Sequence, residues 1–301
     1  MIPLTRIRTG PPIHTNFFGQ KRFDRNLRLL KEKRDGVLEA GGEKKWDSGF
    51  WKQSKKQLLK ETFGKCAYCE TPTTVVVYGD VEHFRPKSRY WWLAYSYENY
   101  LPSCSICNQK FKKDFFEIED TTKMMEGPKI LATMTDAELE ALAATITVDP
   151  INNAAGMPLQ TFTKLHKDEK ALILNPYYDD PSIYLAYEPI LQNQEILVKP
   201  TRPEFQAVVK ACEKLYGVNR KELKTHRFQW YAKYMTFRHT LAALTAALPG
   251  TQVWQMNRNR LDEMTDGSSP YTGMVRYLDT IELKDLPWDF NIKVKPLIPE
   301  D

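Results

Sequence analysis

Apolar positions along this chain recur mostly at the three-to-four spacing of a helix, and only briefly with the alternation of a strand. Residues 22–38 predict a helix that stops before Gly41-Gly42. Residues 48–62 predict a second, carrying Phe50, Trp51, Leu58 and Leu59, with Gly64 just past its end. Thr135-Asp136-Ala137-Glu138 has the spacing of a capping box and opens a helix over 136–144. Helices over 205–216 and 221–248 follow, the longer one bearing Leu223, Tyr231, Tyr234, Leu241, Leu244 and Leu248 and ending at Pro249-Gly250. Ser269-Pro270 reads as cap and first turn of a last helix over 274–281.

Strand signals are few. The β-branched run Val75-Val76-Val77-Tyr78 suits a first strand ahead of Asp80, and Leu172-Ile173-Leu174 and Glu195-Ile196-Leu197-Val198 are expected to pair beside 184–187. Residues 1–20 read as an extended arm and 152–158 as a loop. The expected fold class is mainly α with one small α+β module.

Composition narrows the setting. With 301 residues, 42% of them hydrophobic, the chain can bury a substantial core. No apolar run approaches the roughly 20 residues that span a bilayer. Met1-Ile2-Pro3-Leu4-Thr5-Arg6 lacks the apolar stretch of a secretory signal, so a cytoplasmic protein without a membrane partner is expected. In that setting paired cysteines are metal ligands and not disulfides. Cys212, in a predicted helix, reads as a small buried apolar residue.

Charge is uneven. Residues 1–60 hold 15 Lys/Arg against 6 Asp/Glu, whereas the whole chain has a net charge of only +5. A basic end favours a polyanion, because each neutralised phosphate releases counterions. Arg22, Arg25 and Arg28 are the candidate contacts in this segment, with a solvated helix face as the plainer reading.

Two CxxC pairs, Cys66/Cys69 and Cys104/Cys107, have the ligand type and spacing of a closed tetrahedral Zn²⁺ site of structural kind. Between them lies Asp80-Val81-Glu82-His83-Phe84-Arg85-Pro86-Lys87, and Asn108 follows the last cysteine. Folding around zinc would therefore bring Glu82, His83 and Asn108 together. Asp80-x-Glu82-His83-x-x-Pro86, then Asn99, then Cys107-Asn108 with Lys110 and Lys112, resembles the HNH (ββα-metal) endonuclease motif in its zinc-bound form, with Asn where the last His usually stands. Tyr90-Trp91-Trp92-Leu93-Ala94-Tyr95, Leu174-Asn175-Pro176 with Asp179-Asp180-Pro181, and Leu215-Tyr216-Gly217-Val218-Asn219-Arg220 extend the likeness. Over roughly 46–240 the chain looks like the retron- and Septu-associated HNH nucleases of bacterial anti-phage defence.

The resemblance implies three parts: a basic arm with helices (1–60), the nuclease module (61–122) and a mainly helical remainder (123–301). It also implies phosphodiester hydrolysis, of DNA ahead of RNA, and a companion ATPase. His83 would be the general base, since an imidazole near its usual pKa can take a proton from water. Asn99 would hold the loop. Glu82 and Asn108 would ligate one catalytic Mg²⁺ or Mn²⁺, with Asp80, on the same strand face, in reserve. Arg85, Lys87, Lys110 and Lys112 would contact phosphate. The alternative is a zinc-stabilised nucleic-acid-binding or scaffold protein whose nuclease motif is inactive. For Tyr90, Trp91, Trp92 and Tyr95 a core role outweighs base stacking, and Asp179-Asp180 reads as a structural corner.

Overall fold

The computed structural model describes residues 1–8, 13–38, 45–74 and 79–296. Helices dominate, and the strands of the described residues form two antiparallel hairpins, in keeping with a mainly α chain carrying a small α+β part. The expected strand at Val75–Tyr78 lies outside the described residues.

Helix α1 (Gly19–Arg34) starts three residues earlier than its apolar pattern announces. The reason is a remote cap: Asp149 Oδ2 accepts a bond from Gly19 N at 2.7 Å and lies 3.5 Å from Arg22 Nε. The helix stops at Asp35, and Gly36 (φ 77°) carries the chain away in a conformation that suits glycine. The predicted 48–62 helix is two, α2 (Ser48–Lys52) and α3 (Lys55–Glu61). Ser54 breaks it: its hydroxyl donates to Trp51 O at 2.6 Å, a local bond that competes with the helical ladder.

In the middle of the chain, β1 (Asp80–His83) pairs with β2 (Tyr100–Ser103), with Glu82 opposite Leu101 and His83 opposite Tyr100. A short π-helical segment, Ile106–Lys112, follows. Helix α4 (Asp136–Thr145) has its capping box between Thr135 and Glu138 as read, and packs on α1, where Asn26 Nδ2 donates to Ala143 O at 3.0 Å. Helix α5 (Leu159–Glu169) was not foreseen. After α6 (Pro181–Tyr184) comes the second hairpin, β3 (Leu185–Ile190) with β4 (Glu195–Pro200). Leu172-Ile173-Leu174 is not part of it; this run lies against the 117–119 segment instead, with Leu172 N donating to Glu117 O at 2.9 Å.

Helix α7 (Gln206–Tyr216) and the long α8 (Lys221–Ala247) match their patterns closely. The unforeseen α9 (Gln252–Thr265) turns back along α8, and α10 (Thr272–Asp279) is capped by Tyr271 in the left-handed region, not by Ser269-Pro270. The main core joins Tyr68, Leu101 and Cys107 to Ile173, Val198, Tyr216, Tyr231 and Val275. A smaller one gathers Phe17, Leu29, Phe50, Leu58, Tyr95 and Tyr100.

The N-terminal arm does not stay basic. Arg6 reaches Glu61 Oε2 at 3.1 Å and Tyr100 O at 2.5 Å, and Arg8 grips Glu98 through both carboxylate oxygens at 2.6 and 3.0 Å. Burial alone would raise the Glu98 carboxyl, but Arg6, Arg8 and the Tyr178 hydroxyl outweigh it and hold the group below its ordinary 4.5. Unfolded, Glu98 takes a proton near 4.5; folded, it does so only at lower pH. Its stabilisation is thus complete above that range and lost as pH falls through it. The thermal midpoint should drop on acidification below about pH 5, and Glu98→Gln should melt earlier at neutral pH yet flatten that drop. An unchanged acid slope in the variant would refute the assignment.

Candidate active site and metal centre

The two CxxC turns meet. One Sγ from each of Cys66, Cys69, Cys104 and Cys107 lies within 4.8 Å of all the others, and Cys69 and Cys104 approach to 3.9 Å. A tetrahedral zinc with Zn–S near 2.3 Å needs sulfurs about 3.8 Å apart. The donor set and spacing fit that ion, and none of the cysteines forms a disulfide. The four thiols share hydrogen bonds unevenly: those bonds hold Cys69 and Cys104 below their ordinary value, while burial raises Cys66 and bonds from its neighbours raise Cys107, so the fit to the ion rests on geometry and donor type.

Residues 216–220 close over this knuckle. The Tyr216 ring stacks on Tyr68 with centroids 3.8 Å apart, and the Tyr216 carbonyl lies 3.4 Å from Cys107 Sγ. Gly217 (φ 60°) leaves room for the Phe111 ring: a Cβ there would come within 2.5 Å of it. Asn219 clamps β4 through Val198 N and O at 2.8 and 3.0 Å. Arg220 Nη1 approaches Cys107 Sγ at 3.6 Å and offsets the negative charge that four thiolates would leave around one divalent ion. The sequence string was visible, but its target was not.

Strand β1 carries the candidate catalytic residues. Glu82, His83 and Asn108 line one pocket of about 150 Å³, together with Trp51, Lys87 and Lys113. His83 Nε2 lies 2.9 Å from Ala94 O, which also accepts the Tyr100 hydroxyl at 2.8 Å. A carbonyl only accepts, so Nε2 carries the hydrogen and Nδ1 the lone pair. Trp51 and Tyr100 pack edge-on against the ring, with centroids 4.8 and 5.0 Å away. Burial, with the charges of Lys87 and Lys112, pushes the imidazole from 6.5 down to about 3, not the near-neutral value its type suggests. It is therefore neutral at cellular pH but intrinsically a weak base.

Asn99 ties the 85–93 backbone together through its carboxamide. Its Oδ1 accepts from Arg85 N at 2.8 Å, and its Nδ2 donates to Arg85 O at 2.9 Å and Leu93 O at 3.3 Å. Glu82 and Asp80 both face the π-helical segment, in keeping with strand alternation. Asp80 does not line the pocket; it accepts from Asn108 Nδ2 at 3.4 Å and Gln109 Nε2 at 2.8 Å, and so orients Asn108. Glu82 is buried, its carboxyl raised by desolvation against the pull of Lys112, whose Nζ lies 2.6 Å from Oε1. That contact lacks hydrogen-bond direction, and Oε1 has no other partner. Carboxylate and carboxamide oxygens are donors suited to a hard divalent cation, which would have to displace the Lys112 ammonium from Glu82 Oε1.

Three of the expected phosphate contacts are corrected. Lys112 is fully buried, paired with Glu82 and bonded to His83 O at 3.0 Å. Arg85 is fully buried against Glu169, and Arg22 is buried, donating to Thr147 O at 3.0 Å and Ala155 O at 2.5 Å. Charges consumed this way face no polymer. Arg25 lies over the Phe50 ring and pairs with Asp47 at 3.2 Å, while Arg28 is exposed beside Glu32. Lys87, at the pocket, and exposed Lys110 keep their charges at the surface. Tyr90, Trp92 and Tyr95 are buried, as core residues are, and Trp91 is half-buried against the same cores. Asp180 caps α6 and Asp179 accepts from Asn175 N at 2.7 Å, which makes the Asp179-Asp180 pair a corner.

Sequence reasoning missed Trp51 as a wall of the pocket and the α5 residues His166 and Glu169 behind Arg85; no spacing in the sequence links them. A larger cavity of about 680 Å³, walled in part by His166 and Asp179, includes none of Glu82, His83 and Asn108. No helix among the described residues is long and apolar enough to cross a membrane.

No protein-family model and no solved structure matches the chain. Over 192 residues, 58% of its length, it is 31% identical to a Septu protein PtuB of Bacillus mycoides (strain KBAB4). A shorter stretch of 57 residues is 44% identical to a Septu protein PtuB of Bacillus thuringiensis and covers 19% of this chain. The matches span 50% and 22% of those proteins, so the chain covers at most about half the length of these relatives, and within that stretch it is similar to Septu PtuB proteins.

Proposed function

We propose that this chain is a metal-dependent HNH endonuclease that hydrolyses phosphodiester bonds, DNA ahead of RNA, as a Septu-type effector of anti-phage defence working with a companion ATPase. The observation that carries the reading is the convergence of Glu82, His83 and Asn108 on one small pocket beside a Cys₄ cluster, with Lys87 and Lys113 at its edge. The similarity to Septu PtuB proteins supports the defence setting.

Glu82 and Asn108 would hold Mg²⁺ or Mn²⁺, which when bound neutralises charge on the phosphate and on the leaving oxygen. His83 Nδ1 takes a proton from a water molecule as that water's oxygen forms the new bond to phosphorus and the bond to the leaving oxygen breaks. The Ala94 carbonyl keeps Nε2–H engaged, so the lone pair cannot rotate away. Lys87 draws a phosphate in, and the incoming negative charge would offset the Lys87 part of the field on the imidazole, though not burial, the larger cause of its weak basicity.

One observation favours an inactive, nucleic-acid-binding reading: the Lys112 ammonium already sits 2.6 Å from Glu82. Incubating purified protein with plasmid, single-stranded DNA and RNA over a Mg²⁺ series decides between them. Cleavage that rises with Mg²⁺ and vanishes in EDTA supports the nuclease; binding without cleavage at any Mg²⁺ or Mn²⁺ concentration supports the alternative. Glu82→Gln and Asn108→Ala should lower the rate at fixed Mg²⁺ and recover partly in Mn²⁺, which binds such sites more tightly. If Glu82→Gln cleaves normally while Asp80→Asn is dead, the ligand role belongs to Asp80.

A further inference from the structure

Arg85 follows His83 by two residues and is fully buried. Its main chain is held on both sides by Asn99, and its guanidinium donates from Nε and Nη2 to Glu169 Oε2 at 2.8 and 2.5 Å. The other Glu169 oxygen accepts from Tyr90 OH at 2.7 Å and Met125 N at 2.9 Å. Glu169 thus binds both ends of the 85–90 turn that leads from the His83 strand to the Ala94 carbonyl. Behind it, Arg85 Nη2 lies 3.1 Å from His166 Nδ1. A guanidinium only donates, so Nδ1 accepts and Nε2–H donates to Asp179 at 3.1 Å.

This cluster is a poor device for stability alone. Buried ion pairs are often matched or bettered by apolar residues of similar volume, and here Arg85 Nη1 is buried without a hydrogen-bond partner. What the cluster does deliver is a fixed path for the backbone between the imidazole and the carbonyl that sets its tautomer. We propose that Glu169 is a positioning residue for His83: through Arg85 and Tyr90 it fixes the 84–94 loop, and with it the Ala94 carbonyl that directs the lone pair of Nδ1. The inference rests on the nuclease reading for its effect on rate, but not for its effect on His83.

Glu169→Gln leaves Arg85 as an unpaired buried charge and is expected to lower both melting temperature and rate. The double variant Arg85→Met with Glu169→Met removes both charges and separates the two effects. Its melting temperature should rise above that of Glu169→Gln, short of the parent's because Tyr90 OH and Met125 N lose their acceptor, while kcat at saturating plasmid stays at least about tenfold low, the scale on which a small misplacement acts. Tyr90→Phe, which removes one bond without unpairing a charge, should fold normally and show a smaller loss of the same kind. In all three the His83 Nε2 proton, followed by NMR, should exchange faster with solvent than in the parent. A double or Tyr90→Phe variant with parental melting, parental kcat and parental proton exchange overturns the proposal. If the parent chain cleaves nothing, the nuclease reading falls, and exchange of the His83 proton still decides the positioning: unchanged exchange in the variants refutes it.

Discussion

Cys66→Ser and Cys104→Ser should each yield little soluble protein, and what remains should melt far below the parent chain. Structural zinc contributes about 10–16 kcal/mol to small domains, as much as the whole net stability of a typical fold, roughly 5–15 kcal/mol. The dependence is sharpened by what the cluster carries. Loss of Cys107 from its place would also release the Tyr216 carbonyl and Arg220, and so loosen the turn between α7 and α8. Elemental analysis of purified protein should find about one zinc per chain, as a closed Cys₄ site takes. A metal-free parent protein with an unchanged melting curve would remove the basis for this expectation.

His83→Gln should abolish detectable cleavage while leaving the fold in place. Glutamine can still donate from Nε2 to the Ala94 carbonyl, but it has no basic nitrogen to offer water. Losing a general base costs about 10²–10⁴-fold in rate. His83→Ala is the blunter test, because the ring is buried between Trp51 and Tyr100 and its removal leaves a cavity costing on the order of 1–3 kcal/mol. Measured as single-turnover nicking, parental activity in His83→Gln would show that another group takes the proton.

The parts of this site that could be read from the sequence are those whose geometry is local. CxxC puts two thiolates on one turn whatever surrounds it, and Asp80 and Glu82 share a strand face by alternation alone. The capping box at Thr135 and the long period of α8 are local in the same sense. What failed was burial of charge. On a helix or after a strand, Arg22, Arg85 and Lys112 look like solvated cations, since such residues are almost never fully buried unless paired. Their partners are 84 residues away for Arg85 and 125 for Arg22, and no pattern in one sequence announces such a meeting. The depressed basicity of His83 was hidden for the same reason: two of its causes, burial and Lys112, depend on how the chain closes. Helix α9 escaped notice because Val253 and Met256, two of its few large apolar residues, are exposed and blur its period.

The cover over the cysteine knuckle also sets an order of events in time. Arg220 is 113 residues beyond Cys107, so at about 5–20 residues per second it leaves the ribosome about 6–23 s later. Throughout that interval the thiols are bare, open to zinc and to oxidants alike. Metal capture can be fast and can precede assembly of the C-terminal half. Release is the reverse case: once Tyr216 and Arg220 have docked, Cys104 alone of the four stays partly exposed, so a chelator would have to enter from that side, and a zinc held there should be lost more slowly from the finished protein than from the unfinished chain.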